Sequence, residues 1–131
     1  MSKNEKIYYE NFKDAVERNR KKIPSIHKKL KNAGVKYVLS SWIDLHGIPK
    51  SKPVPMTDFE PLCLGKGPQF AVHSISFVPE LTPADSDQVM LPDLDAVYIC
   101  PWDTSTAIIF ADLFCEDKPY NVSPRQALKR N

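Results

Sequence analysis

The pattern of apolar and polar positions from Val35 to Pro55 predicts a β-hairpin. The first half of this stretch is dense in β-branched and aromatic residues, it turns at His46-Gly47, and it returns through a segment rich in lysine and proline. We expect Asp44 to accept backbone N–H groups of the turn and Gly47 to supply a positive φ. Alternation predicts a core-facing set of Val35, Tyr37, Leu39, Ile43 and Leu45, and an opposite, polar set of Lys36, Ser40, Trp42, Asp44 and His46.

The segment before the hairpin predicts two helices. Residues 5–22 carry apolar residues at helical spacing among many charges, and Ile23-Pro24 is expected to end that helix. A second helix can open at Pro24-Ser25, stop at Gly34 and pack on the sheet that follows. The apolar stripes are Tyr9, Phe12 and Val16 in the first helix and Ile26, Leu30 and Ala33 in the second.

The rest of the chain predicts short strands separated by turns. Thr106–Cys115 is the longest unbroken apolar run and the candidate for a central strand buried on both faces. The other predicted elements are a short helix from an N-cap at Asp58 to Leu64, strands at 69–76, 88–91 and 96–100, a break at Pro92-Asp93, a loop at 78–87, and a last helix from Ser123-Pro124. Together these elements predict an α+β domain with a mixed sheet of about five to six strands and a helix packed on one face.

The composition is that of one globular domain. The chain has 131 residues, of which 42% are hydrophobic and 26% charged, and its net charge is +2. Three widely spaced cysteines, Cys63, Cys100 and Cys115, fit neither a disulfide framework nor a metal knuckle, so we expect buried free thiols in a reducing compartment. The sequence shows no leader peptide and no membrane-spanning run, and we expect a cytoplasmic location and no membrane partner.

Basic residues cluster in the two predicted helices, which raises the question of a polyanionic partner. No aromatic residues interleave with them as a stacking platform, and acidic residues elsewhere almost balance their charge. We therefore favour a solvated surface and expect no nucleic-acid partner. The cluster consists of Arg18, Arg20, Lys21, Lys22, Lys28, Lys29 and Lys31.

The residues contain no complete catalytic or metal site. His27, His46 and His73 are isolated in sequence, and the four glycines cannot form a phosphate-binding loop. The spacing of the aspartates at positions 85, 87, 93 and 95 does not match a calcium loop, and turn or cap roles are expected for them. The residues alone therefore predict a binding or assembly domain.

Four stretches, taken in order, resemble the amino-terminal β-grasp domain of the glutamine synthetase family. They read VKYVLSSWIDLHGIPKSKPVP, GKGPQFAVHSI, LTPADSDQVMLPDLDAVYICPW and AIIFADLFCEDKPYNVSPRQALKR. Their order and spacing make the resemblance specific, and it covers residues 25–131. It divides the chain into an amino-terminal helical extension (1–24), a β-grasp domain (25–122) and the start of a linker helix (123–131) to a catalytic domain that is absent here.

The resemblance implies a parent protein that is an ATP-dependent ligase. Such an enzyme phosphorylates the γ-carboxylate of glutamate and lets an amine or ammonium displace the phosphate. In the family, ATP and Mg²⁺ or Mn²⁺ bind to the larger carboxy-terminal domain, so this domain alone is expected to bind no cofactor or metal and to be inactive. The amino-terminal domain closes the active site of a neighbouring subunit in a homo-oligomeric ring, and its expected contribution is a loop at that interface.

The resemblance places this loop, which we call the amine loop, at residues 70–75. Glutamine synthetases typically read Phe-Asp-Gly-Ser-Ser-Ile there, and the aspartate helps to bind ammonium and remove its proton. This chain has Ala71 instead, while Ser74 matches the second serine. A small neutral residue leaves room for an alkylated amine and removes the attraction for ammonium. Because the Phe-Ala start is similar to the γ-glutamylmethylamide synthetase and type III-like branch, we favour a glutamate–amine ligase over ordinary glutamine synthesis. His73 is a candidate base near the amine, although it could equally pack in the interface.

Five further residues are assigned structural or interface roles. Asp44 and Gly47 match a hairpin motif of the family and are expected to shape its turn. Trp42, on the predicted polar face, is the interface candidate, and Trp102 is assigned to the core. Arg125 belongs to the terminal motif that leads into the family's catalytic domain. Two alternatives stay open: a stand-alone β-grasp binding or regulatory module, and a polyanion-binding adaptor.

Overall fold

The computed structural model describes residues 10–71 and 82–130. Within these residues the helices are α1 (Phe12–Asn32), α2 (Phe59–Cys63) and α3 (Pro124–Arg130), and a 3₁₀ turn at Met56–Asp58 precedes α2. The strands are β1 (Tyr37–Ile43), β2 (Pro49–Pro55), β3 (Gln69–Phe70), β4 (Gln88–Ile99), β5 (Thr106–Cys115) and β6 (Lys118–Pro119).

The strands form one mixed sheet in the order β2-β1-β5-β4-β3, with β6 also paired to β5. β1 and β5 run parallel, whereas the other pairs are antiparallel. β5 is central, and both faces of its last part are buried, since four consecutive residues from Ala111 to Phe114 are buried. The predicted α+β, β-grasp architecture, the hairpin and the central strand are all confirmed.

The predicted faces of β1 are wrong. Val38, Ser40 and Trp42 are buried, whereas Tyr37 is 52% exposed. Both faces of this strand carry apolar residues, so alternation alone does not identify the buried one. Register decides it, because Val38 lies beside Ala107 of β5 and joins the core cluster that includes Leu30 and Phe59.

The expected helix break at Ile23-Pro24 is also wrong, because α1 continues through Pro24. An internal proline costs about 3 kcal/mol through its lost hydrogen bond and its clash with the preceding turn. The buried face of α1 nevertheless runs along its whole length, through Ala15, Asn19, Ile23 and Leu30. Packing of that face on the sheet therefore outweighs the local preference of proline.

Asn19 ties α1 to two other elements. Its side chain is 1% exposed, and its Nδ2 donates to the carbonyl oxygens of Cys63 and Pro92, each at 2.9 Å. The sequence predicted that the strand breaks at Pro92-Asp93, and this is wrong. β4 instead continues through a register shift between Pro92 and Val97. A proline fits this strand because an irregularity removes the need for a ladder N–H.

Two smaller expectations differ from the structure. Asp58 makes no side-chain cap hydrogen bond to α2, because it ends a 3₁₀ turn that already leads into the helix. The strand predicted at 69–76 is observed only as β3: Ala71 is not in a strand, and residues 72–76 lie outside the described residues.

Candidate functional site

The amine loop begins at the last residue of β3. Gln69 and Phe70 pair with Val89 and Gln88 of β4, and Ala71 follows half-buried. We call residues 69–71 the loop root. His73 and Ser74, the other two residues assigned to this loop, lie outside the described residues. The structure therefore shows how the loop is held where it starts.

Trp42 is part of that support. Its indole is 4% exposed and stacks on the ring of Phe70, with ring centroids 4.5 Å apart and an interplanar angle of 7°. The pair belongs to a core cluster with Met90, Ala111 and Leu113. The prediction that Trp42 lies on an exposed polar face is wrong, because that face of β1 turns inward.

Lys52 reaches the loop root from the other strand of the hairpin. Its Nζ donates a hydrogen bond to the backbone carbonyl of Gln69. Neither Lys52 nor the stacking of Trp42 was anticipated from the sequence, because both contacts join residues that lie far apart along the chain. The hairpin therefore contacts the loop root through two side chains.

The hairpin turn is built around Asp44. Its Oδ1 accepts the backbone N–H groups of His46 and Ile48, each at 2.9 Å, and its Oδ2 lies 3.2 Å from Lys50 Nζ. Gly47 has a φ of +77°. This confirms the predicted turn geometry.

The surroundings of Asp44 favour its charged form. Burial alone would raise the pKa of this carboxyl group. The N–H of Ile48, the Lys50 ammonium and the N–H of His46 outweigh burial, and the pKa lies below its ordinary value. Asp44 therefore stays ionised while it organises the turn.

Arg125 joins α3 to the sheet through two carboxylates. Its guanidinium lies 2.6 Å from Asp93 Oδ2 and 3.1 Å from Asp112 Oδ1, and Lys129 Nζ lies 2.6 Å from Asp112 Oδ2. We call Asp93, Asp112, Arg125 and Lys129 the ionic cluster. The sequence analysis did not predict this cluster. The sequence feature that could have indicated it is Asp112 inside the longest apolar run, together with Arg125 and Lys129 spaced i, i+4 in the last helix.

Trp102 is not in the core, and its predicted assignment is wrong. It is 79% exposed in the turn between β4 and β5. Asp103 shapes this turn, because its carboxylate accepts hydrogen bonds from the backbone N–H and the hydroxyl of Ser105 and from the hydroxyl of Thr106. Trp102 therefore sits on a tight surface turn and not on the strand that precedes it.

Several of the basic residues on α1 are ion-paired. Arg18 contacts Glu10, Arg20 Nε lies 3.2 Å from Glu17, and Lys22 Nζ lies 2.6 Å from Asp95. These carboxylates offset part of the positive charge on the helix surface. The geometry thus favours a solvated surface over a polyanion site.

The thiol of Cys63 offers little reactive chemistry. Cys63, Cys100 and Cys115 are free, and burial together with the charge of Glu60 raises the pKa of Cys63 to about 12. A thiol with so high a pKa is a poor nucleophile at neutral pH. Across residues 10–71 and 82–130, no three histidine, cysteine, aspartate or glutamate side chains are grouped to hold a metal ion.

No helix among the described residues combines the length and apolar character that a membrane span requires. No protein-family model matches the chain.

Individual proteins do match. The chain is 38% identical over 97 residues to a glutamine synthetase of Rhizobium meliloti, covering 74% of this chain and 22% of that protein. It is 30% identical over 103 residues to a glutamate–methylamine ligase of Methyloversatilis universalis, covering 77% of this chain and 23% of that protein. The chain thus spans less than a quarter of the length of these two relatives.

Solved structures of GmaS are also similar to this chain. The structure of a GmaS–ADP complex superposes with a TM-score of 0.73 at 29% identity, covering 79% of this chain and 24% of that chain. Ligand-free GmaS superposes with a TM-score of 0.72, also at 29% identity. Sequence similarity and superposition agree, and the chain belongs to the glutamine synthetase family as an amino-terminal β-grasp domain similar to that of GmaS.

Proposed function

We propose that this chain is the amino-terminal domain of an ATP-dependent ligase that joins glutamate to an amine. In this proposal the domain completes the active site of a neighbouring subunit in a homo-oligomeric ring, in the cytoplasm, and is inactive alone. The observation that carries the proposal is Ala71, which stands directly after β3 where typical glutamine synthetases have an aspartate. Similarity to a glutamate–methylamine ligase supports it.

The chemistry of Ala71 favours an alkylated amine. A carboxylate at this point would attract an ammonium ion and could take its proton, whereas a methyl group offers neither charge nor acceptor. The smaller side chain also leaves space for the carbon atoms of the amine. Both amines are cations, but the smaller ammonium ion can approach a carboxylate more closely, so loss of the carboxylate costs ammonium more. The gain of apolar volume favours the methyl group directly, and both effects act in favour of the alkylated substrate.

ATP, Mg²⁺ or Mn²⁺ and glutamate would bind outside the described residues. These residues present no cluster of three or more metal-ligating side chains, and their sequence contains no glycine-rich phosphate loop. We therefore assign this chain no step of phosphoryl transfer. Its proposed role is to position the amine and to help exclude water from the partner's active site.

Amine selectivity of the full-length protein tests this proposal. Ala71→Asp restores the carboxylate, and the ratio of kcat/KM for methylammonium to kcat/KM for ammonium is expected to fall by about tenfold, equivalent to about 1.4 kcal/mol. Ala71→Asn is the matched control, because it adds similar volume without charge.

Two results would contradict the proposal. The first is a selectivity ratio that is the same in the unsubstituted protein and in the Ala71→Asp variant. The second is an equal fall in both variants, which would contradict the contribution of charge and leave volume alone to set the preference. The coding sequence downstream of Asn131 is a further check, since the proposal requires it to encode the carboxylate-rich catalytic domain.

A further inference from the structure

Side chains of β1 and β3 are in contact although two other strands separate β1 from β3 in the sheet. Three strand-to-strand steps separate β1 from β3 in the sheet order. At about 4.8 Å for each step, a flat sheet would place these strands roughly 14 Å apart. The rings of Trp42 and Phe70 are nevertheless stacked at 4.5 Å. The sheet therefore curls until β1 faces β3.

Lys52 shows the same curl from the outermost strand. β2 is four steps from β3, or roughly 19 Å in a flat sheet. The ammonium group of Lys52 still reaches the Gln69 carbonyl oxygen. The hairpin thus contacts both the backbone and the side chain of the loop root.

The loop root needs this support because β3 itself is short. It has two residues, which pair only with β4 in the described structure. Two residue pairs at a sheet edge hold a strand weakly, since such edges open by local fluctuation. A parallel ring stack restricts the Phe70 ring in both position and tilt, and Ala71 is the next residue.

We infer that Trp42 is a positioning residue for the amine site, which places Ala71 through its stack on Phe70, with Lys52 as a second support. This inference rests on the proposed role of Ala71. Trp42 acts through Phe70 and is not assigned contact with the substrate. It differs from an ordinary core residue in one respect: its loss should affect the amine more than the other substrates.

Steady-state kinetics of the full-length protein separate these two roles. In Trp42→Leu, which loses the stack, the KM for methylammonium is expected to rise about tenfold while the KM values for glutamate and ATP stay within about twofold. Trp42→Phe keeps an aromatic ring and is expected to recover most of the loss. Trp102→Leu is the matched control, because that tryptophan is 79% exposed in a distant turn. Equal changes in all three KM values, or none, would overturn the inference.

Lys52→Met provides a second variant in case Trp42→Leu does not fold. It keeps an unbranched side chain but loses the hydrogen bond to the Gln69 carbonyl. We expect a smaller rise in the KM for methylammonium, about threefold. If Trp42→Leu does not fold, an unchanged amine KM in Lys52→Met would contradict the inference.

Hydrogen exchange gives a readout that needs no activity. The backbone amides of residues 69–71 are expected to exchange about tenfold faster in Trp42→Leu than in Trp102→Leu. If the unsubstituted protein makes no amide bond, the proposed function fails, and exchange alone then decides whether Trp42 holds the loop root. Equal exchange rates in the two variants would overturn the inference whatever the activity.

Discussion

Two buried aspartates in this domain are stabilised in different ways. Asp44 accepts N–H groups from residues two and four positions further along its own turn. Asp112 lies in the central strand and meets the cations of α3, which are 13 and 17 positions away. The first arrangement is complete once the turn forms, whereas the second requires the last helix to dock on the sheet.

The role of an aspartate can be predicted from the sequence only when its partners lie close along the chain. An aspartate just before a glycine turn has its hydrogen-bond donors close by in the sequence, and its role follows from local geometry. An aspartate inside an apolar strand has no partner nearby, so only tertiary structure shows how its charge is balanced. The two sites should therefore respond differently to substitution.

The largest effect is expected for Asp112→Ala. It leaves Arg125 and Lys129 without the carboxylate that joins them to β5, and we expect the free energy of unfolding to fall by about 2 kcal/mol. This is below the range for fully buried pairs, because both cations keep some exposure to solvent. Urea denaturation followed by circular dichroism measures the change.

Asp95→Ala is the control for that experiment. Asp95 pairs with Lys22 at 2.6 Å, but it is 75% exposed. The hydrogen bond from Lys22 is the main reason that the pKa of Asp95 lies below its ordinary value, and solvent screens this interaction. An Asp95→Ala loss as large as that of Asp112→Ala would show that burial does not distinguish the two pairs.

Gly47→Ala tests the hairpin turn at Asp44, and it is expected to lower the free energy of unfolding by less than Asp112→Ala does. Nothing lies within 4 Å of where the added Cβ would sit, so the backbone φ of +77° is the only source of strain. An alanine in the left-handed backbone region lowers the free energy of unfolding by about 1 kcal/mol, which the same urea denaturation can measure. Gly47→Asn should recover part of this cost, because asparagine tolerates the left-handed region better. Equal losses in both variants would argue against backbone strain as the cause.

The smallest effect concerns the charge of Asp44. Because its folded-state pKa lies below the ordinary 3.8, ionisation of Asp44 stabilises the fold above about pH 4, and that contribution is lost as the pH falls through the folded-state pKa. Asp44→Asn should therefore be less stable than the unsubstituted chain at neutral pH, and the gap should narrow in acid. Urea midpoints from about pH 7 to about pH 2.5 measure the gap. A gap that stays constant would contradict the charge effect.

Elements with a local cause were predicted well. The hairpin, its turn at Asp44 and Gly47, the central strand and the start of the last helix all follow from periodicity and turn chemistry. The family resemblance, which depends on the order of motifs, is confirmed by the relatives and by the superposed structures. The roles of Ala71, His73 and Ser74 stay predictions.

Predictions failed where packing outweighed a local preference. α1 continues through Pro24 and β4 through Pro92, because each has a buried face that extends past the proline. The predictions for the two tryptophans also failed: Trp42 was expected on an exposed face and is buried, whereas Trp102 was expected in the core and is exposed. An aromatic residue is equally compatible with a core and with a surface turn until the register of the strands is known.

The sequence by itself determined the order of most elements, the geometry of the hairpin turn and the family, but not that α1 and β4 continue past their prolines. These depend on interactions between residues that are close along the chain, or on motifs that can be recognised in order. Only the tertiary structure decided which face of β1 is buried, how α3 is held, and that the hairpin supports the loop root. The face of β1 follows from its register with β5, and α3 is held by carboxylates of β4 and β5. The support of the loop root arises from the curl of the sheet, which brings Trp42 onto Phe70 and Lys52 onto Gln69 although several strands separate them in the sheet.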